Sequence, residues 1–334
     1  MKIKKTLFMA RKLLRDFNAN RRLEVNMENP PGELGYYYIR FEEKLSRLNH
    51  LIHSFDAEGI PLNTTYIDVE TPRLHYYPIS IGQYGLALFH SWLATGNVEK
   101  REHFLRVANW FAREKHEEAG LGYYWLTDVP KPEYDIRAPW KSAFAQGRAL
   151  SILTRAWQLT GDEAYLRVAT GALTPFAKDI SEGGVSVDRV AGETFYEEYV
   201  AAVPTRVLDG HLFSLFGLLD YIRAVPAGHD PAGHRLARRL FDEGIEGVIR
   251  QFPRFDLGYW TRFCRCDLPG YPVDDPCTIG YLRLVSKQLL ILHRATGREE
   301  LLHFARKCEQ YNTLPHILKM YRIKFKALKK LQRL

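Results

Sequence analysis

The segment Thr160-Gly161-Asp162-Glu163-Ala164-Tyr165-Leu166 ends one amphipathic helical pattern and begins another. Its glycine can adopt the left-handed conformation that commonly closes a helix, and its two acids suit the positively polarised first turn of the next helix. Similar breaks occur at Thr95-Gly96, at residues 227–230 and at Thr296-Gly297, at intervals of 65, about 67 and about 69 residues. Four helical hairpins at a nearly constant period predict a repeat architecture. Closed on itself, such an array is a mainly α fold, an (α/α) toroid.

Three polar, aromatic connections separate the hairpins and lack helical periodicity. They are residues 117–138, 181–200 and 252–278. In a toroid such connections gather at one mouth, and loops carried by a rigid scaffold are where function concentrates. Many of the aromatic residues, which make up 13% of the chain, lie on these connections, where flat rings suit the C–H faces of sugars.

The pattern divides the chain into four parts. Residues 1–23 form a basic N-terminal segment, and residues 24–73 form an arm with short strands, because Tyr37-Tyr38-Ile39-Arg40-Phe41 alternates in the manner of a strand. Residues 74–315 form the catalytic toroid. Residues 316–334 form a basic C-terminal tail.

The net charge of +8 is unevenly distributed. Residues 1–22 and 319–334 together carry +14, so the body of the chain carries −6. Nothing in the body resembles a nucleic-acid-binding module. The C-terminal tail has the pattern of a basic amphipathic helix, which suits an anionic membrane surface, a polyanionic glycan or nucleic acid, or is simply solvated.

Apolar runs are short throughout the sequence. No run approaches the roughly 20 residues of a membrane span, and residues 7–10 are fewer than the roughly 7–15 of a signal-peptide core. We therefore expect a cytoplasmic protein, held peripherally at the inner membrane face by its basic ends.

The four cysteines lie late in the chain and do not have the spacing of a metal site. Cys264-Arg265-Cys266 is a C-x-C pair, and no matching pair follows it. We expect no metal and no cofactor.

The segment Phe195-Tyr196-Glu197-Glu198-Tyr199 precedes an apolar helical pattern that begins near residue 204. It places two acids and two phenols where a backbone can hold reactive groups at the rim of a cavity. Carboxylates and phenols at such a position are suited to proton transfer.

Four blocks of the sequence resemble the D-glucuronyl C5-epimerase family, whose members convert D-glucuronate to L-iduronate within heparosan-type polysaccharides. The blocks occur in the family's order across about residues 35–300. They are residues 76–86 (YYPISIGQYGL); residues 140–151 (WKSAFAQGRALS); Glu197-Glu198-Tyr199 with Val207-Leu208-Asp209-Gly210; and residues 258–263 (GYWTRF) with Tyr281 and Gln288 further on.

The resemblance implies a cofactor-free reaction in which the C5 proton of a uronate leaves one face of the ring and returns to the other. It carries over Glu198, Tyr199, Tyr259 and Tyr281 as catalytic residues. Removing a proton next to a carboxylate requires a cation or strong donors to stabilise the developing charge, and Arg262 is the candidate, since a guanidinium can hold a carboxylate bidentately. We assign Glu198 and Tyr281 as the opposed acid/base pair, with Tyr199 and Tyr259 as positioning donors.

The first two blocks also supply candidate substrate-binding residues, for which helix packing is the alternative explanation. They are Tyr77, Gln83, Tyr84, Gln146 and Arg148.

The chain departs from the animal members of the family. Those carry a membrane anchor and a β-domain inserted after the first block, whereas about 50 residues separate Leu86 from Trp140 here. The chain therefore resembles a compact microbial form acting on an anionic, glucuronate-containing polysaccharide, and the dimeric animal enzymes make a homodimer an expectation.

Two other functions fit the same fold. A polysaccharide lyase would share the first proton removal, and an inverting hydrolase would need two carboxylates about 6.5–9.5 Å apart, with Asp209, Asp256, Asp274 or Asp275 as the partner of Glu198. A non-catalytic glycan-binding protein is the third alternative.

Overall fold

A computed structural model of the chain describes residues 7, 11, 14–26, 32–44, 46, 52–65 and 73–333. Helices α1 to α8 pair into four hairpins, and the fold is the predicted (α/α) toroid. The helices are α1 (Pro78–Thr95), α2 (Val98–Arg113), α3 (Ala143–Thr160), α4 (Glu163–Gly171), α5 (Leu208–Ala224), α6 (Pro231–Phe255), α7 (Ile279–Thr296), α8 (Glu299–Tyr311) and a final helix α9 (Leu314–Lys330).

Glycines close the first helix of three hairpins, as predicted. Gly96, Gly161 and Gly297 have φ values of 67°, 72° and 70°, and each N–H donates back to a carbonyl of the preceding turn. The third hairpin turns differently: α5 ends before Val225, and the side chain of Asp230 accepts the N–H of Gly233 at the start of α6.

The helices form an inner and an outer row. Helices α1, α3, α5 and α7 contact one another in that order, and each packs on its own outer partner, α2, α4, α6 or α8. Because every hairpin returns the chain to the same side, the inner helices run in one direction. Their N-termini therefore lie together at one end, which we call the mouth.

In the described ranges, short antiparallel strands form three small sheets beside the helices. Strands β1 (Ile52–Phe55), β2 (Pro61–Thr64) and β3 (Leu74–His75) pair in sequence before α1. Strand β4 (His116–Glu118) pairs with β5 (Gly122–Tyr124), and β6 (Ser186–Val187) pairs with β7 (Phe195–Tyr196). In the last pair Ser186 lies opposite Tyr196 and Val187 opposite Phe195.

The alternating segment 37–41 does not form the strand that we expected. Ile39 makes an isolated bridge to Val25, while the rings of Tyr37 and Tyr38 lie 6.0 and 5.0 Å from the ring of Phe216 on α5. Both tyrosines are buried in the core, and strand pairing here is limited to one bridge with backbone hydrogen bonds from Asn26 N to Tyr38 O and from Arg40 N to Glu24 O. The short strands expected in residues 24–73 occur later in that range, as β1 and β2.

The N-terminal region also contacts the first and fourth inner helices. The Tyr37 N–H donates to His90 Nε2 on α1 at 3.0 Å. The carboxylate of Asp16 accepts the N–H groups of Ile279 and Gly280 at 2.5 and 2.7 Å, at the start of α7. Residues before the toroid thus join its first and last inner helices.

Helix α9 contains most of the predicted basic tail and packs against the mouth. Ile317, Met320 and Leu328 are buried. Lys324 Nζ lies 2.5 Å from Asp275 Oδ1, within the connection that precedes α7. Among the described helices, none is long and apolar enough to cross a membrane.

Candidate active site

The centre of the candidate site is the N-terminus of α5. Strand β7 delivers residues 197–199 to this point, and Glu198 packs directly on Gly210: a methyl group added to that glycine would lie 2.5 Å from both Cβ and Oε2 of Glu198. Asp209, one residue earlier, is also buried. Two carboxyl groups from different segments are therefore neighbours at one helix end.

Burial controls the ionisation of these two acids. It raises the pKa of Glu198 to about 7, against the opposing effects of a hydrogen bond from Tyr199 and the charge of Lys131. Burial and then the charge of Glu198 raise the pKa of Asp209 well above its ordinary value. Near neutral pH the pair of Glu198 and Asp209 therefore carries a proton. Glu198 loses its proton at about pH 7, close to the pH at which a general base is most effective.

Glu197 has a structural role in the same segment. Its carboxylate accepts hydrogen bonds from Thr205 N at 2.8 Å, Thr205 Oγ1 at 2.5 Å and Arg206 N at 3.0 Å. Its carbonyl accepts the Ala143 N–H at the start of α3. These contacts fix the backbone that carries Glu198.

Tyr199 belongs to a wall of aromatic rings along the mouth. Its ring is stacked on Tyr134 at 5.2 Å and meets Trp140 edge-on at 5.3 Å. Trp140 in turn meets Tyr77, and Tyr134 is stacked on Tyr271. Such a wall offers rigid apolar surface next to the carboxyl pair.

A buried cation, Lys131, lies over this wall. Its Nζ is 4.3 Å from the centre of the Tyr199 ring and 3.3 Å from Glu133 Oε1. Burial raises the pKa of Glu133, but Lys131 and Arg333 more than offset this effect and leave the pKa below its ordinary value. Lys131 is thus a fixed positive charge beside Glu198 and Tyr199.

Tyr281 lies on the first turn of α7. Its ring meets that of Phe263 at 5.2 Å, and the Phe263 carbonyl accepts the Leu208 N–H at the start of α5. Gln288, seven residues later, donates to the Asp209 carbonyl at 3.1 Å. The structure thus brings Tyr281 to the helix end that carries Asp209.

Tyr259 and Arg262 have their contacts elsewhere in the mouth. The Arg262 guanidinium donates to the carbonyls of Val273 and Arg254 and pairs with Asp274 at 2.8 Å. Tyr259 lies under Lys319 of α9, with Nζ 3.9 Å from the ring centre. These contacts stabilise the connection before α7. The catalytic role of Tyr259 and the substrate-binding role of Arg262 remain predictions.

The binding residues predicted from the first two blocks separate into three groups. Tyr77 lies in the aromatic wall. Gln83 and Arg148 lie deeper, joined by a 3.1 Å hydrogen bond from Arg148 Nη2, with the guanidinium carbon 4.4 Å from the centre of the Phe213 ring. Arg148 is only 1% exposed, so it does not reach the mouth in this conformation.

Tyr84 and Gln146 face away from the carboxyl pair. The Tyr84 ring packs on Phe55 and His103 at 5.2 and 5.8 Å. The Gln146 amide donates to the carbonyls of Tyr123 and Ala172, both at 3.0 Å. These contacts fix the frame around α1 and α3.

Sequence reasoning missed Lys131 and considered Asp209 only as a partner in hydrolysis. Lys131 is in the first aromatic connection, 117–138, and its place in that expected functional loop was the available signal. The four cysteines are free, and no group of three or more acids, cysteines and histidines in the described part of the chain could hold a metal ion.

Comparison with known proteins identifies the family. The family model for the C-terminal part of D-glucuronyl C5-epimerases matches residues 117–310, a range that contains Glu198, Asp209 and Tyr281 and all of the aromatic wall except Tyr77. The chain belongs to the D-glucuronyl C5-epimerase family. The resemblance found from the sequence blocks is thereby confirmed.

Individual relatives are similar to parts of this family member. A D-glucuronyl C5-epimerase of Caenorhabditis elegans is 30% identical over 173 residues, 50% of this chain and 28% of the worm protein. An uncharacterised protein of Methanocaldococcus jannaschii is 27% identical over 186 residues, 55% of this chain and 56% of the archaeal protein. The matches thus span about a quarter and about half of these relatives.

Solved structures show only a distant likeness. A glycosyl hydrolase family 88 protein from Bacteroides vulgatus aligns with 80% of this chain and 69% of its own, at 12% identity and a TM-score of 0.47. This score is too low to carry an argument about function.

Proposed function

We propose that this protein is a cofactor-independent isomerase that inverts C5 of D-glucuronate to L-iduronate within an anionic polysaccharide. The observation that carries the proposal is the position of Glu198 between Gly210, Asp209 and Tyr199, beside the buried Lys131. A base that ionises near neutrality, next to a fixed cation and an aromatic wall, suits proton abstraction from a sugar acid.

Glu198 takes the C5 proton. The C–H bond breaks, its electron pair moves toward the C6 carboxylate, and the carboxyl of Glu198 gains the proton. Asp209 stays protonated while Glu198 ionises, because two adjacent buried carboxylates repel each other. Burial raises the pKa of Glu198 to about 7, so this carboxyl stays neutral until the pH approaches that value.

Lys131 stabilises the enediolate that results. Removing the C5 proton places a second negative charge next to the uronate carboxylate, and a desolvated cation lowers the free energy of that state. Lys131 fits this role better than Arg262, whose guanidinium already serves two carbonyls and Asp274.

Tyr281 returns a proton to the opposite face of C5. A phenol ordinarily titrates near pH 10, so it is protonated at neutral pH and can donate. The tyrosinate left behind then recovers a proton from solvent, and Glu198 releases the proton it took from C5 to solvent, which resets both groups. The aromatic wall of Tyr77, Trp140 and Tyr199 holds the sugar ring between the two groups.

The lyase and hydrolase alternatives lead to different products. Of the carboxylates considered for hydrolysis, three are in ion pairs: Asp256 with Lys307, Asp274 with Arg262 and Asp275 with Lys324. Asp209 is the one whose ionisation is tied to Glu198. A carboxyl that ionises near pH 7, with a phenol at Tyr281 as the proposed proton donor, supports epimerisation.

Incubation with heparosan in deuterated water tests the proposal. Epimerisation gives deuterium at C5, iduronate signals in the NMR spectrum and no rise in the ultraviolet absorbance of an unsaturated uronate. A rise without iduronate identifies a lyase. The absence of both on heparosan and on other glucuronate polysaccharides refutes the proposal.

The basic chain ends support a further part of the proposal, contact with an anionic membrane surface. Helix α9 exposes Leu318 and Phe325 among the exposed cations Arg322, Lys326 and Lys329. Exposed apolar side chains among cations suit a lipid headgroup region. Co-sedimentation with anionic vesicles tests this, and size measurement by light scattering tests the proposed homodimer.

A further inference from the structure

Apart from the mouth, a cleft lies on the outside of the toroid, along α6. It has a volume of about 1040 Å³. One side is the turn between β6 and β7, residues 189–194, and the other is the junction of α7 and α8, residues 295–298. We call it the arginine groove, after six of its lining residues, which are Arg189, Arg235, Arg238, Arg239, Arg250 and Arg298.

The arginines outnumber the acids of the groove. The acids that line it are Asp242, Glu243 and Glu246. Glu243 pairs with Arg189 at 3.0 Å and with Arg239 at 3.1 Å, and Glu246 pairs with Arg298. The ion pairs hold these acids in place, and the groove retains an excess of positive charge.

Arg235 and Arg250 supply that excess. Both are exposed, and neither has an ion-pair partner within the described ranges of the chain. A guanidinium binds carboxylate and sulfate groups through parallel N–H donors, and it loses less hydration than an ammonium does on contact. These two side chains are therefore available to an anionic ligand.

Their spacing selects the shape of that ligand. Arg235 and Arg250 lie at opposite ends of the groove on one helix, which separates them by about 22 Å at the α-helical rise. A single phosphate or a mononucleotide cannot reach both. An extended chain with repeated negative charges can.

The groove is connected to the candidate active site by one hairpin. The turn that forms its side leads through β7 directly into Glu197 and Glu198. Gln251, next to Arg250, donates to Asp188 Oδ2 and to the Glu193 carbonyl at either end of that turn. The wall of the groove and the segment that carries Glu198 are thus parts of one hydrogen-bonded hairpin.

We propose that the arginine groove binds a segment of the anionic polysaccharide several sugars away from the residue that reacts. The identity of the ligand as substrate rests on the proposed function, whereas its chemical class follows from the groove itself. The groove increases the affinity of the enzyme for long chains and takes no part in the chemical step.

The test compares the double variant Arg235→Ser/Arg250→Ser with the control Arg167→Ser. Arg167 is an exposed arginine on α4, outside the groove. Binding to immobilised heparosan is measured over a range of salt concentrations. We expect the double variant to bind about tenfold more weakly, with a smaller dependence on salt, and the control to bind like the wild type.

Kinetics on two substrates then locate the effect. On polymeric heparosan the double variant should have a raised KM and an unchanged kcat, while a tetrasaccharide, too short to span groove and mouth, should react equally with all three proteins. Equal polymer binding by all three proteins overturns the proposal. So does a loss of activity by the double variant on the tetrasaccharide as large as its loss on the polymer, because that result would place these arginines at the mouth.

The two proposals fail in distinguishable ways. If the wild type exchanges no C5 deuterium on heparosan or on other glucuronate polysaccharides, the proposed epimerase function fails, while the binding comparison still decides the role of the groove. A wild type that exchanges deuterium but does not bind the polymer more tightly than the double variant refutes the groove alone.

Discussion

Glu198 and Gly210 are in contact at a distance that admits no side chain on the glycine, since an added Cβ would lie 2.5 Å from Glu198 Cβ. Gly210 lies in the first turn of α5, where alanine would ordinarily favour the helix. Its presence here is explained by the space that Glu198 occupies.

Gly210→Ala should therefore displace Glu198 and remove most activity. We expect a fall of about 10²-fold in kcat, because small shifts of a reacting group have effects of that size. Gly228→Ala is the matched control, since nothing lies within 4 Å of its added Cβ. Normal activity of Gly210→Ala would show that the position of Glu198 does not matter.

Glu198→Gln should abolish the exchange of C5 deuterium while making the protein more stable at alkaline pH. Burial raises the folded-state pKa of Glu198 to about 7, whereas the unfolded chain keeps it near 4.3. The stability contributed by the protonated form is complete below about pH 4 and is lost as pH rises through about 7. The variant cannot ionise, so its Tm relative to the wild type should rise between pH 5 and pH 8. Glu117→Gln, at an exposed position on β4, should show no such trend.

The activity of the wild type should rise with pH and level off above about 7, as Glu198 becomes ionised. Asp209→Asn should keep this acid limb, because Asp209 is protonated in the active form. The measurement is kcat/KM against pH for both proteins. An acid limb that disappears with Asp209→Asn would assign the base to Asp209.

Lys131→Met should lower kcat by about 10²–10³-fold, the usual cost of removing a group that stabilises developing charge. Tm should also fall, because Glu133 would lose its ion pair with Lys131 and keep the one with Arg333. Lys131→Arg should restore Tm more fully than kcat. Lys115→Met is the control, since Lys115 lies 5.3 Å over the ring of Tyr123, away from the carboxyl pair. A change in KM alone would contradict the role in the chemical step.

Arg262→Gln distinguishes a structural arginine from one that binds substrate. The loss of its contacts with Val273, Arg254 and Asp274 should cost about 1–3 kcal/mol of stability, with kcat little changed. Thermal unfolding and steady-state kinetics on the same preparation decide the matter. A large fall in kcat/KM with Tm unchanged would show that Arg262 binds the substrate.

The hairpins could be predicted because their signals are local. Gly96, Gly161 and Gly297 end their helices through their own backbone conformation, which neighbouring residues in the sequence already indicate. Segment 37–41 was predicted wrongly as a strand because its burial depends on Phe216, far along the chain. Alternation cannot distinguish a paired strand from an extended segment in a core.

The site could be predicted only in part for the same reason. Glu198 and Tyr199 are adjacent in sequence and carry the family's pattern, so they were found together. Lys131 reaches Tyr199 from another connection, and the partners of Arg262 become known only when the loop before α7 is folded. Which charges meet across the mouth is decided by tertiary packing.

The attachment of α9 and the residues after it to the mouth has a consequence for the order of folding. Arg333 pairs with Glu133, and Lys324 pairs with Asp275, so groups beside the aromatic wall depend on residues that follow the fourth hairpin in the chain. A chain in which all four hairpins have folded but α9 has not docked still lacks these ion pairs. The mouth therefore takes its final form only when α9 packs against it.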